Sequence, residues 1–216
     1  MDSIVLNSDC LHWMKEYPDN YFDLAVIDPP YGIGRDGKPK STSSHGGHKG
    51  YEFKGWDKEP PTHKYFEQLF RISKNQILWG ANHYMSKIYI AAPMMKDLDN
   101  PCYLIWDKGQ RLDQADAEIA WTSFKSPIRI FLKNRVAIQT DGAIHPTQKP
   151  VALYDWIFKN YSQPGQKVID THLGSGSSRI AAHKAKLDFT GFEIDKEYFD
   201  NQEQRYRNFV SQTVLF

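Results

Sequence analysis

Lys167-Val-Ile-Asp170-Thr-His-Leu-Gly174-Ser-Gly176-Ser177 decides the fold of this chain. A short apolar strand ends in a carboxylate, a turn of small residues follows, and residues 178–186 have the pattern of a helix. A second apolar strand, residues 189–194, then closes in Glu193-Ile194-Asp195. Apolar runs without alternation suit parallel strands covered on both faces. Strand, loop, helix and strand in this order belong to a doubly wound α/β sheet.

Outward from this unit the same alternation reaches the N-terminus. Apolar runs at residues 4–7, 24–28, 76–80, 103–106, 118–124 and 128–132 read as strands, the last two joined by the turn Lys125-Ser126-Pro127. Residues 62–74 carry Tyr65, Phe66, Leu69 and Phe70 on one stripe and read as a helix. Residues 151–161 and the polar C-terminal stretch are also helical in pattern. Trp79, Trp106 and Trp121 fall in or beside strands, where core packing is the default. With 216 residues and no visible repeat or linker, a single domain spanning 1–216 is expected. Six Trp, twelve Tyr and twelve Phe argue against disorder. Cys10 and Cys102 lie outside any CxxC or Cys/His cluster, which argues against a zinc site or a disulfide scaffold. No apolar run approaches the roughly 20 residues of a membrane span, and the first residues lack the basic start of a signal peptide. A cytoplasmic protein without a membrane partner is expected. The net charge of +1 requires that any nucleic acid be met by locally concentrated Lys and Arg.

The glycine turn also suggests a ligand. Glycines let a backbone turn tightly and approach a bound molecule closely. Glu193, about two dozen residues beyond Asp170 at the next strand's end, is placed to accept ribose hydroxyls. A plain turn is an equally good reading of Gly-x-Gly alone. Position 179 is Arg where a dinucleotide site would have Gly, and the Lys-Ser/Thr ending of a phosphate-binding loop is missing. A ligand with a ribose but no pyrophosphate therefore fits better, and S-adenosylmethionine is one. Asp170 would then face its α-ammonium group.

Asp28-Pro29-Pro30-Tyr31 is the most specific feature of the chain. It stands at the carboxyl end of an apolar strand, where open α/β sheets place ligands. The exocyclic amine of adenine or cytosine is a poor nucleophile because its lone pair is delocalised into the ring. Two fixed acceptors, the Asp28 carboxylate and the Pro29 carbonyl, would bind its two hydrogens. They would thereby favour a pyramidal nitrogen and stabilise the positive charge that grows on it. Pro30 stiffens the backbone, and the Tyr31 ring is suited to stack on the base. Transfer of a methyl group then needs only placement, without metal or covalent nucleophile. A target atom inside a duplex must first be flipped out.

In this ordered set the chain resembles the β-class amino-methyltransferases of DNA, the circularly permuted group with Asp-Pro-Pro-Tyr ahead of the cofactor motif. His145-Pro146-Thr147-Gln148-Lys149-Pro150 resembles the family's segment before the first cofactor helix. Residues 170–176 resemble its glycine motif, Gly191-Phe-Glu-Ile-Asp195 its ribose-binding strand end, and Ser8-Asp9-Cys10 its opening element against the cofactor's adenine. The resemblance implies a Rossmann-like, mostly parallel sheet of seven strands with one antiparallel strand, in permuted methyltransferase order. It implies S-adenosylmethionine contacts from Asp9, Cys10, Lys149, Asp170, His172, Gly174, Ser175, Gly176 and Glu193, with Lys149 at the methionine end. Asp at the first motif position leans toward site-specific methylation of adenine N6; relatives acting on cytosine N4, the alternative, more often have Ser there. Thr171-His172 departs from the family's usual Pro-Phe, and Ser8 from its usual Gly.

Residues 32–61 hold seven glycines and no apolar periodicity, and read as a long mobile loop. Lys38, Lys40, Lys49 and Lys54 are its candidate contacts to double-stranded DNA, with Tyr51, Phe53 and Trp56 available to stack on bases. His45, His48 and His63 lack the Cys or carboxylate partners of a metal site, so none is expected. Only about a dozen residues, 133–144, stand where many relatives insert a recognition region. Either the 32–61 loop reads sequence, or specificity is loose, or a second copy in a homodimer helps. The rivals in substrate are RNA and protein amines; the rival in class is an inactive DNA-binding module that has kept the fold.

Overall fold

The structure is a computed structural model that describes residues 2–37, 50–91, 102–109, 115–134 and 143–213. In chain order its elements are β1 (Ser3–Leu6), α1 (Cys10–Met14), β2 (Phe22–Ile27), α2 (His63–Ile72), β3 (Ser73–Trp79), a 3-10 turn (Ala81–His83), α3 (Met85–Ala91), β4 (Tyr103–Asp107), β5 (Ala117–Thr122), β6 (Arg129–Leu132), α4 (Val151–Tyr161), β7 (Lys167–Asp170), α5 (Ser177–Lys184), β8 (Asp188–Phe192) and α6 (Lys196–Thr213). The strands form one sheet in the order β1-β8-β7-β2-β3-β5-β4-β6. β5 pairs antiparallel with both neighbours, and every other pair is parallel. Among the described residues one strand is reversed, as expected, but the sheet has eight strands where seven were expected. The strands at 118–124 and 128–132 do not pair with each other: β4 inserts between them, and β6 runs parallel to β4 at the edge.

Successive residues of β2 point to opposite faces and build two separate cores. Leu24 and Val26 join Ile77, Trp79, Leu104 and Val168 under Leu153, Ile157 and Phe158 of α4 and Ala181 and Ala182 of α5. Ala25 and Ile27 join Leu78, Ile169 and Phe192 under Phe66, Leu69 and Ile72 of α2 and Ile88 of α3. Each large apolar side chain so buried contributes about 1.5–3 kcal/mol. The three strand tryptophans are all within the cores. α2 ends two residues before the expected limit. Ser73 leaves the helical region at φ −127°, turns its hydroxyl back onto the Leu69 carbonyl at 2.6 Å, and becomes the first residue of β3. α1 and α3 had no counterpart in the sequence reading, because five and seven residues are too few to establish an apolar period. Asp9, read as part of a strand exit, is the N-cap of α1 and accepts from the Leu11 amide at 2.8 Å.

This strand order places the site. From β7 the chain crosses through α5 to β8 on one side; from β2 it crosses through α2 to β3 on the other. β7 and β2 are adjacent, with Ile169 level with Ala25. The loops leaving their carboxyl ends therefore diverge and open a crevice, the position where such sheets bind ligands. Asp170 and Asp28 end these two strands, though they lie at opposite ends of the sequence.

Candidate active site

A cavity of about 1010 Å³ fills this crevice, and Asp28, Pro29, Pro30 and Tyr31 share its wall with His172, Gly174, Ser175 and Glu193. The two motifs thus face one chamber.

On the β7 side, the turn after Asp170 is held by hydrogen bonds that its small residues permit. The Leu173 amide donates to the Phe192 carbonyl at 2.9 Å, and Gly174 and Gly176 adopt φ +53° and +73°. The Gly174 amide donates to Glu193 Oε2 at 2.8 Å, and the Asp195 amide to Oε1 at 2.9 Å. Each Glu193 oxygen keeps a lone pair for a further donor, and burial pushes the carboxyl up. Asp9 and Cys10 line the same end. Burial, reinforced by Asp9, raises the Cys10 thiol to about 12, so it stays protonated. Burial lowers His172 to about 4, so its ring is neutral at pH 7. Glu193, a carboxylate facing the chamber at a strand end, fits a ligand that carries a ribose, and Asp9 and Asp195 lie on the same wall.

One expectation on this side is corrected. Asp170 is 1% exposed and is not part of the cavity wall. Its carboxyl accepts the Ser178 hydroxyl at 2.5 Å and the His172 amide at 3.1 Å. It therefore braces the glycine turn against α5 and is not presented to an α-ammonium group. Lys149 lines the same chamber. Its ammonium lies 2.5 Å from Asp28 Oδ1, 2.9 Å from Glu118 Oε2 and 3.1 Å from the Tyr31 hydroxyl.

On the β2 side, Asp28 therefore stands in a buried charge network. The Tyr31 hydroxyl donates to Asp28 Oδ1 at 2.7 Å, and Lys108 reaches Glu118 Oε1 at 2.8 Å. Burial raises the Asp28 carboxyl; Lys149 opposes the rise and Glu118 adds to it, leaving it above the usual value. Burial would also raise Glu118, but Lys149 and Lys108 outweigh it and hold that carboxyl at about 2. Burial works against the Lys149 ammonium, and the two carboxylates more than compensate. Among the described residues the bonds to Asp28 fall on Oδ1, and Oδ2 is left to accept from a ligand. Among the described residues no donor reaches the Pro29 carbonyl. The Tyr31 ring is already stacked on His83, with centroids 5.1 Å apart and planes at 13°, so one of its faces is taken.

The turn after Tyr31 is fixed by Asp57. Its Oδ1 accepts the amides of Tyr31 at 2.7 Å and Gly32 at 2.8 Å, and its Oδ2 accepts the amide of Arg35 at 2.7 Å. Asp36 in turn accepts the Gly55 amide. Residues 32–37 and 50–61 are therefore clamped together, and the expected free loop over 32–61 is corrected to that extent. Trp56 packs on His145, which packs on Tyr198 of α6, over the glycine turn. Of the candidate DNA contacts, Lys38, Lys40 and Lys49 lie outside the described residues. Lys54 pairs with Asp195 at 2.9 Å and Glu197 at 2.8 Å and sits 4.3 Å from the Tyr198 ring centroid. Its charge is thus matched inside the fold, contrary to expectation. Sequence reading missed Glu118, Lys108, Asp57 and His83. Among the described residues no group of His, Cys, Asp and Glu is arranged for a metal ion, and no helix is long and apolar enough to cross a membrane.

Residues 99–204, which carry both the Lys149 segment and the glycine turn, match the N6_N4_Mtase model, described as DNA methylase. Over that segment, just under half of its length, the chain is similar to the N6/N4 DNA amino-methyltransferases. It is 25% identical to the type II methyltransferase M.HinfI of Haemophilus influenzae, over 94% of this chain and 68% of that protein. It is 22% identical to the type II methyltransferase M2.MboI of Moraxella bovis, over 94% and 86% of the two chains. Among solved structures, the M1.HpyAVI complex with S-adenosylmethionine superposes with a TM-score of 0.63 at 18% identity, covering 94% of this chain and 98% of the other. The cytosine-N4-specific PvuII DNA methyltransferase gives 0.63 at 12%, covering 95% and 86%. These two likenesses establish the shared methyltransferase fold.

Proposed function

We propose that this protein transfers a methyl group from S-adenosylmethionine to the exocyclic N6 of an adenine flipped out of double-stranded DNA. The observation that carries this reading is the shared chamber, whose wall holds Asp28 and Pro29 together with Gly174 and Glu193. When bound, S-adenosylmethionine supplies an electrophilic methyl group on a sulfonium. Glu193 would hold its ribose, the turn at 172–175 would carry its methionine part, and Asp9 and Cys10 would border its adenine. Asp28 Oδ2 and the Pro29 carbonyl would take the two hydrogens of the target amine and stabilise the charge developing on its nitrogen. The rigid Pro29-Pro30 backbone holds both acceptors in place, so the reaction gains mainly from orientation. Lys38, Lys40 and Lys49, whose flanking residues 37 and 50 belong to the two stretches clamped beside Tyr31, are proposed to meet DNA phosphates.

Asp at the first motif position supports adenine. Cytosine N4 is the second reading, supported by the fold likeness to the cytosine-N4-specific PvuII enzyme. Expression in a methylation-free host, followed by nucleoside mass spectrometry and modified-base sequencing, tests both. N6-methyladenine at a defined site is the expected result. N4-methylcytosine transfers the reading to the other base, and unmodified DNA from a folded, cofactor-binding protein refutes it.

A further inference from the structure

Catalysis at an amine that becomes positive is poorly served by a neighbouring ammonium. Lys149 is such an ammonium, 2.5 Å from the carboxylate that would hold the amine. Alone with Asp28 it would draw on the electron density of that acceptor and place a full positive charge beside the growing one. Glu118 changes this balance. Its Oε2 lies 2.9 Å from Lys149 Nζ, so the ammonium is shared between two carboxylates. Its Oε1 is held by Lys108 at 2.8 Å, which fixes the side chain from behind. The four charges sum to zero, and Lys108 meets the Glu118 oxygen that Lys149 does not. The placement follows from topology. β5 is the reversed strand, so its second residue, Glu118, stands at the carboxyl ends of the parallel strands, level with Trp106 of β4.

We infer that Glu118 is a positioning residue for methyl transfer: it holds Lys149 between two carboxylates, offsets its charge beside the target amine, and leaves Asp28 an effective acceptor. This inference rests on the reading of Asp28 as the amine-holding group. It assigns Glu118 no contact with substrate or cofactor.

The titratable groups facing Asp28 are Tyr31 of its own loop, Lys149, Glu118 of β5, Tyr84 beyond β3, Tyr154 of α4 and Asp170 at the end of β7. Burial raises the three tyrosines, so they stay neutral across the working range. Glu118 itself raises Asp28, and its loss would also give Lys149 wholly to Asp28. Both changes lower Asp28.

The test is steady-state kinetics of Glu118→Gln and Glu118→Asp on a duplex substrate that the wild type methylates, with folding checked by thermal melting and cofactor binding by calorimetry. Glu118→Gln is expected to lower kcat by about 10- to 100-fold, with KM for S-adenosylmethionine unchanged within about twofold. The acid limb of its kcat profile should move to lower pH, and Glu118→Asp should recover part of the rate. Asp170→Asn in the same background should leave that movement intact. If Glu118→Gln does not fold, Lys108→Met serves instead: freeing Glu118 to take more of Lys149 should move the limb to higher pH. An unchanged kcat, or a fall in kcat with an unmoved limb and no recovery in Glu118→Asp, overturns the inference. An unmoved limb in Lys108→Met does the same. A wild type that modifies no DNA base defeats the underlying reading instead.

Discussion

The ammonium of Lys149 lies 2.5 Å from Oδ1 of Asp28, joining the segment that enters α4 to the carboxyl end of β2. Lys149 lowers the Asp28 carboxyl against the burial that raises it. Lys149→Met is therefore expected to move the acid limb of the rate upward in pH, opposite to Glu118→Gln. It should also reduce kcat more than it changes cofactor affinity, because the ammonium is bound to Asp28, Glu118 and the Tyr31 hydroxyl. A calorimetric titration showing a cofactor defect as large as the rate defect would place Lys149 at the methionine end.

The cofactor half was legible in the sequence because each part of its signal is local. Lys167-Val-Ile-Asp170, the small-residue turn and α5 are consecutive, and the carboxylate of Glu193 closes the next strand. The adjacency of Asp28 to that half followed from β–α alternation and strand-end logic. The charge network was not legible, because it depends on which strand is reversed. Glu118 in Ala-Glu-Ile-Ala-Trp-Thr is a lone charge at the start of an apolar strand. That reads as a solvated strand end until β5 is known to run backwards between β3 and β4. Asp57 looked like one more loop acid, since nothing local reveals that it gathers three amides from residues 31–35. For Asp170 the residue type was read correctly but its direction was not, because a side chain's direction is set by its neighbours across the sheet.

Tyr31 is held by close approach as well as by hydrogen bonds. Gly80 stands at φ +71°, and a Cβ there would lie 2.1 Å from Tyr31 Cε1. Gly80→Ala must displace the ring and its hydroxyl from Asp28, and the positive φ adds strain. Activity is expected to fall at least tenfold while the cofactor still binds. Asp57→Ala should act on the same turn from the other side and also destabilise the fold. It strands three amides, each costing about 1 kcal/mol or more if no water replaces the carboxylate. Denaturant melts that leave Asp57→Ala as stable as the wild type would show that solvent substitutes for it.

Buried titratable groups set opposing dependences of stability on pH. The folded pKa of His172 is about 4, below its ordinary 6.5, because burial disfavours the charged ring. As pH falls below 6.5 the unfolded chain takes up a proton that the folded chain refuses, so stability present above 6.5 is lost on acidification. Asp170, raised by burial to about 7, acts the other way. Between about 4 and 7 the unfolded chain loses a proton that the folded chain keeps, so its contribution to stability falls as pH rises through that window. His172→Gln should therefore reduce the loss of stability between pH 7 and pH 5 by about 2 kcal/mol, and Asp170→Asn should steepen it. Melting curves at the two pH values measure both, and parallel shifts at both would contradict the assignment.

Lys54 and the lysines at 38, 40 and 49 separate in their expected response to salt. Binding that neutralises phosphates releases counterions, and each lost phosphate contact lowers the salt slope by about one. Lys54 is committed to Asp195 and Glu197, which raise its pKa against burial. Lys54→Gln should therefore leave the slope of DNA affinity against salt unchanged, while loosening the packing of Lys54 on Tyr198 over the cofactor end. Replacing Lys38, Lys40 and Lys49 by Gln should reduce the slope by about two to three, with cofactor affinity intact. A slope reduced by about one in Lys54→Gln would mean that DNA draws this lysine away from its carboxylates. The clamp between residues 50–61 and α6 would then open when substrate binds.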